Sequence, residues 1–252
     1  MNRFLAALRF LTIVPVVGNR GTTEANLAGS VPFFPLVGLL LGTLAAGGAY
    51  GLSLVAPPLV SAAALVVLML GFSGGLHMDG LSDMADGFLS SRPREEVLKI
   101  MKDSHVGAMG VMAIMAVMLL KFAALASVPT HALWAVALLT PLTGRCAIVV
   151  QMATVPYIRS NGLGSVFTQR GVGLAAIWAI AVLALSSGLL FGARGLLVAA
   201  AAVALGLAFS CWCRHKIGGA TGDTYGAMCE AAELVPALLL AIWPTAVGGW
   251  LA

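Results

Sequence analysis

Residues 106–127 read VGAMGVMAIMAVMLLKFAALAS, an apolar run whose one charged residue is Lys121. About 20 such residues in helical conformation cross the hydrocarbon layer of a bilayer. Stretches of the same kind lie on either side, at roughly 31–56, 59–76, 131–153, 171–191, 195–213 and 233–251, which predicts about seven spans. Composition agrees with this reading: of 252 residues 60% are hydrophobic and 10% charged, and the mean hydropathy is +0.99. A water-soluble domain of this size does not carry such a surplus. The expected fold is therefore all-α, a polytopic transmembrane helical bundle forming a single integral membrane domain over residues 1–252. Met1 to Val17, apolar but interrupted by Arg9 and Pro15 and without a small-residue cleavage pattern, reads as an N-terminal interfacial helix and not as a removable signal.

Cations set the orientation. With the spans alternating across the membrane, Arg3, Arg9, Arg20, Arg92, Arg94, Lys99, Lys102, Arg159, Arg170, Arg214 and Lys216 fall on one side and Arg194 on the other. The rich side is cytoplasmic by the positive-inside rule, with the N-terminus inside and the C-terminus outside. The excess of 14 basic over 10 acidic residues thus reports topology, and no nucleic-acid partner is expected. Two cations remain within spans. Lys121, near an outer end, is expected to snorkel to the interface. Arg145 needs a partner: a carboxylate, a substrate phosphate or a structural salt bridge would each serve. Cys146, Cys211, Cys213 and Cys229 lack zinc-type or redox spacing and read as inert thiols.

The acids carry the functional signal. All ten, Glu24, Asp79, Asp83, Asp86, Glu95, Glu96, Asp103, Asp223, Glu230 and Glu233, are expected in cytoplasmic loops or at their membrane edge. In His77-Met78-Asp79-Gly80-Leu81-Ser82-Asp83-Met84-Ala85-Asp86-Gly87 a helix puts the three aspartates at i, i+4 and i+7, on one stripe. Adjacent carboxylates repel, and no Lys or Arg is interleaved at i+4 as on a solvated face. Hard oxygen donors of this kind select Mg²⁺, Mn²⁺ or Ca²⁺. Gly80 and Gly87 each weaken the helix by about 1 kcal/mol and are expected to let a bulky phosphate approach.

Two further segments face the same compartment. Gly218-Gly219-Ala220-Thr221-Gly222-Asp223 runs on to Glu230 and Glu233; it is a phosphate-cradling turn or a plain connection, and it lacks the lysine of a Walker loop. Lys99 to Gly107 mixes Lys102, Asp103 and His105 ahead of a span, to bind phosphate or to anchor the helix end.

These blocks together resemble the cobalamin synthase family, the adenosylcobinamide-GDP ribazoletransferases. The resemblance rests on Gly74 to Gly87, Ile100-Met101-Lys102-Asp103-Ser104, Arg159 with Gly162-Leu163-Gly164, and Gly219-Ala220-Thr221-Gly222-Asp223 continuing to Glu230 and Glu233, in that order along most of the chain. It implies a Mg²⁺-dependent transferase of cobalamin biosynthesis in the bacterial cytoplasmic (inner) membrane, with its active face cytoplasmic. The reaction joins adenosylcobinamide-GDP to α-ribazole or its 5′-phosphate and releases GMP. The expected partners are the corrinoid nucleotide, α-ribazole and membrane lipid, and an oligomer is compatible with the reading. Asp79, Asp83 and Asp86 are expected to hold the metal, unless Asp83, the central one, instead serves as the base. Asp103 and Glu230 are expected to complete the metal shell together with Asp223. Lys102, Arg145, Arg159, Gly222 and Asp223 are expected around the phosphates. Two alternatives share some of these features. A CDP-alcohol phosphatidyltransferase has a longer aspartate motif, whose continuation is absent after Gly87. A divalent-cation transporter places its ionisable groups near the bilayer midplane.

Overall fold

The computed structural model describes residues 1–15, 18, 21–159, 163–167 and 171–243. Its elements are α1 (Asn2–Leu11), α2 (Glu24–Ala28), α3 (Phe34–Val55), α4 (Pro58–Ser73), α5 (Leu76–Phe88), α6 (Arg94–Ile100), α7 (Ala108–Ser127), α8 (Thr130–Thr154), α9 (Val172–Ile217) and α10 (Gly222–Ile242). Among the described residues the sole β pairing is an isolated bridge between Tyr157 and Ala220.

Helix α8 is the axis of the bundle. In its most apolar window 89% of residues are buried, against 22% for α7, which faces outward. Small residues allow its neighbours to come close, the usual basis of helix packing in lipid. On α3, Gly38 and Gly42 stand one turn apart against Leu142 and Leu138 of α8, and a Cβ on Gly38 would lie 2.9 Å from the Leu142 Cα. Across α8, a Cβ on Gly144 would lie 2.7 Å from the Cys229 sulfur of α10. Pro35 stands in the first turn of α3, where its missing N–H is not needed.

Two departures from the hydropathy pattern matter. Five described helices are long and apolar enough to cross a membrane, or six if α4 and α5 count as one bent span. The expected spans 171–191 and 195–213 are both contained in α9, whose backbone breaks at Gly192 (φ 56°, ψ −134°). A Cβ on Gly195 would fall into the carbonyl group of Ser187, a contact that a straight helix excludes over eight residues, about 12 Å of rise. The chain therefore turns back at Gly192. The last helix begins at Gly222, not at 233, so Asp223, Glu230 and Glu233 all belong to it. The remainder of the expected 233–251 span, beyond Trp243, lies outside the described residues, as do Arg20 and Arg170.

At the other end of the short α4, two successive left-handed glycines, Gly74 (φ 60°) and Gly75 (φ 84°), stop the helix. The chain re-enters helix as α5 at 89° to α4. Helix α5 thus runs across the end of the bundle instead of along its axis, and this turn presents the aspartate stripe. Helix α1 is an amphipathic helix that buries Ala6, Ala7, Leu8 and Leu11, as expected of an interfacial element.

Candidate active site

On α5 the buried face carries His77, Met78, Gly80, Ser82, Met84, Ala85, Gly87 and Phe88, leaving Asp79 exposed and Asp83 and Asp86 partly buried. The three aspartates do not converge on one point. Asp79 and Asp86 are about 10 Å apart along the helix axis at 1.5 Å per residue, and Asp86 is turned towards α7. Its Oδ2 accepts the Gly107 N–H at 2.7 Å and its Oδ1 the Gly110 N–H at 2.8 Å, so it caps the N-terminus of α7 from a neighbouring helix. Among the described residues no group of three or more His, Cys, Asp or Glu side chains stands ready to hold a metal ion.

The glycines of the motif serve packing, and Gly80 also lines the cavity described below. A Cβ on Gly80 would lie 2.8 Å from the Asp223 carbonyl oxygen of α10. One on Gly87 would lie 2.6 Å from the Met101 side chain. The close α5–α10 crossing brings Asp223 to the aspartate stripe.

The start of α10 is held by a reciprocal cap. Thr221 Oγ1 accepts the Thr224 N–H at 3.3 Å, and the Thr221 N–H donates to Thr224 Oγ1 at 2.9 Å. Alongside, Ile158 N–H donates to the Ala220 carbonyl (3.0 Å) and Ala220 N–H to that of Pro156 (2.8 Å). The Gly-rich segment is thus a fixed helix entry, not a loose connection. Gly219 is needed there, because any Cβ would run into the Pro156 carbonyl. This clamp places Arg159 Nη2 2.7 Å from Asp223 Oδ2 and 3.2 Å from the Met101 carbonyl oxygen. The Arg159 Nε is buried without a hydrogen-bond partner among the described residues.

Between α5, α10 and this segment lies a cavity of about 240 Å³. Asp79, His77, Arg159, Asp223, Gly222 and Tyr157 supply its polar wall, and Phe10, Leu76, Ile148 and Tyr225 its apolar side. The Tyr157 and Tyr225 rings stack with centroids 6.0 Å apart. Asp83 stands one turn beyond Asp79. Partial burial, with the negative charges of Asp79 and Asp223 next in importance, raises its carboxyl pKa to about 6, while Arg159 pulls the other way. The cluster of Asp79, Asp83, Asp223 and Arg159 therefore has more negative than positive charge.

Three expected site residues are elsewhere. Glu230 and Arg145 belong to a buried quartet inside the bundle. Lys121 Nζ is 2.8 Å from both Glu230 Oε2 and Glu233 Oε2, and Arg145 Nη1 is paired with Glu233 Oε1. All four side chains are at most 5% exposed. Lys121 does not snorkel, because two carboxylates from α10 meet it, and Arg145 takes the structural salt bridge among its possible partners. Glu230 and Glu233 lie about 12 and 16 Å along α10 from Gly222 at helical rise, which corrects their placement at the cytoplasmic edge. The third, Asp103, is exposed and engaged by His105, whose Nδ1 is 2.6 Å away; these hydrogen bonds hold its carboxyl below the usual range. Lys102 is exposed on the same loop, next to the Met101 carbonyl that Arg159 uses. Asn161 and Gly162 lie outside the described residues.

Sequence reasoning passed over Tyr157, Tyr225, Phe10 and the buried His77 as cavity residues. Tyr157 stands two residues before Arg159 and was within reach of the argument. Phe10 gives no local signal, since only the folding of α1 against α3, where Phe10 stacks on Phe34, brings it there.

Residues 3–241 match the family model described as cobalamin-5-phosphate synthase. The adenosylcobinamide-GDP ribazoletransferase of Roseiflexus sp. (strain RS-1) is 41% identical over 231 residues, 91% of this chain and 85% of that protein. The protein of that name from Geotalea daltonii is 37% identical over 247 residues, 98% of each, and the one from Brevibacillus brevis 35% identical over 255 residues, 99% of each. No solved structure matches the chain.

Proposed function

Because the chain belongs to the cobalamin-5-phosphate synthase family, we propose that it joins adenosylcobinamide-GDP to α-ribazole, or to α-ribazole 5′-phosphate, and releases GMP. The observation that carries the reading at the level of chemistry is the Arg159–Asp223 pair, set across a small cavity from Asp79 at one end of a membrane bundle. In this reaction a ribose hydroxyl attacks the corrinoid-side phosphorus of the pyrophosphate. The bond from that phosphorus to the bridging oxygen breaks, and GMP leaves with the electron pair. Such transfers depend on alignment and on offsetting the charge of the leaving phosphate.

The residues divide the work as follows. Arg159 binds a phosphate oxygen through the guanidinium face that Asp223 steadies. The Gly222 end of α10 adds a helix N-terminus to the same wall. Asp83, whose pKa of about 6 makes it a base matched to neutral pH, accepts the hydroxyl proton. Asp79 and Asp223 would hold Mg²⁺ together with substrate phosphate, since this ion commonly takes one or two carboxylates, and when bound it would neutralise charge on the pyrophosphate. Asp86 positions α5 against α7 through its bonds to Gly107 and Gly110. Lys102, on its exposed loop, draws anionic substrate towards the cavity. The excess of cations on this side supports a cytoplasmic active face in the bacterial inner membrane.

The test is GMP release from adenosylcobinamide-GDP with α-ribazole phosphate by the protein in liposomes. Release that stops with EDTA and returns with Mg²⁺ is expected. No release from folded protein would direct attention to CDP-linked lipids as donors.

A further inference from the structure

Next to the reaction cavity lies a second, larger and more open space of about 710 Å³. It runs between the end of α1 and the bend from α4 to α5, and shares Phe10, Leu76 and Asp79 with the cavity. Its further walls are largely apolar, from Ile13, Leu70, Met78 and Ile114, with polar points at Arg9, Thr12 and Ser73 and backbone at Gly74 and Gly75. These walls are fixed to each other. Ile13 N–H donates to the Phe72 carbonyl at 3.0 Å, and the Ile13 side chain fills the place that a Cβ on Gly74 would take.

Size separates the two spaces. Pockets that enclose drug-sized molecules run roughly 300–1,000 Å³. A space of about 240 Å³ is below that range, enough for phosphates and the attacking hydroxyl but not for a macrocycle bearing amides. The donor's phosphates join its corrinoid to its nucleoside, so the corrinoid must leave the cavity through a wall with room beside Asp79. The groove has that position, the larger volume, and a mixed lining of apolar side chains with the polar side chains of Arg9, Thr12 and Ser73, suited to a flat ring with an amide rim.

We infer that the groove between α1 and the α4–α5 bend seats the corrinoid ring of the donor. This rests on the proposed function, and goes beyond it by extending the specificity-determining surface from the start of the aspartate motif to Ile13, Leu70 and Ile114. It also accounts for α1 as a wall of the site instead of a simple surface anchor. The kinked α4–α5 joint then has two uses, presenting the aspartates on one side and the floor of the groove on the other.

Ile13→Trp and Ile114→Trp narrow the groove at two lining residues that the cavity does not share, and Ile13→Val and Ile114→Val keep it open. Two readouts apply. Binding of adenosylcobinamide, which carries no nucleotide, is followed by the corrinoid absorbance in the absence of turnover. KM for adenosylcobinamide-GDP is measured alongside KM for α-ribazole and inhibition by GMP. The expected result is at least a tenfold weakening of adenosylcobinamide binding and a tenfold rise in donor KM in both Trp variants. The valine variants, α-ribazole KM and GMP inhibition stay at wild-type values, which also shows that the Trp proteins are folded. Unchanged adenosylcobinamide binding in Trp variants that retain GMP inhibition overturns the assignment. Wild-type protein that binds adenosylcobinamide in the groove but releases no GMP would leave the groove standing and remove the proposed reaction.

Discussion

The protein holds two charged clusters that share residue types but not surroundings. At the end of the bundle, Asp79, Asp83 and Asp223 gather around one cation, Arg159, and the Arg159 and Asp223 side chains remain 19% and 18% exposed. Inside the bundle, Lys121 and Arg145 meet Glu230 and Glu233, two charges of each sign, at 5% exposure or less. The balanced cluster is closed: its charges answer each other and fix α7, α8 and α10 in register within the membrane. The unbalanced cluster is open, with unmet negative charge beside a cavity. Charge balance and access to solvent, more than residue identity, separate the chemistry of this chain from its scaffolding.

The difference can be broken by substitution. Asp83→Asn should lower GMP release by about 10²–10⁴-fold, the usual contribution of a positioned base, without lowering the melting temperature, since it relieves like-charge repulsion. In the interior the expected effects are reversed. Glu233→Gln leaves Arg145 unpaired and should lower stability by about 3–5 kcal/mol, read as thermal unfolding in detergent. The Arg145→Met/Glu233→Met double variant should recover most of that loss, because Lys121 keeps Glu230. Smaller again, Asp86→Ala removes the cap of α7 and should reduce stability by about 0.5–2 kcal/mol, with a milder loss of turnover than Asp83→Asn. Finally, the pH profile should show an acid limb. Asp83 works as a base only when ionised, and its pKa is raised to about 6, so turnover should fall about tenfold per unit below that pH and level off above it. More Mg²⁺ should move the limb to lower pH, since a bound cation favours the ionised carboxylate.

Much of the open cluster was legible in the sequence because it is local. Asp79 and Asp83 are one turn apart, and the glycines at 74 and 75 mark the bend that exposes them. Arg159 and Asp223 came from sequence blocks whose meeting depends on the bridge at Tyr157 and Ala220, which no local pattern encodes. The closed cluster was illegible for the same reason. Lys121 and Glu230 are 109 residues apart, and a hydropathy window scores each as a charge to be expelled from the bilayer. That scoring moved the start of the last helix past Asp223 and Glu230, and assigned Lys121 to the interface. Helix geometry placed Asp86 on the stripe correctly but could not show that α7 claims both of its oxygens. The hairpin at Gly192 was seen as two spans by hydropathy, whereas helix continuity reads it as one element.

The central claim is that the open cluster performs chemistry and the closed one does not. The most direct measurement is GMP release from adenosylcobinamide-GDP and α-ribazole phosphate in liposomes, with and without Mg²⁺, for wild type and Asp83→Asn at equal amounts of folded protein. The account predicts Mg²⁺-dependent release by wild type and its near-complete loss in the variant. Equal turnover by the two proteins would contradict it.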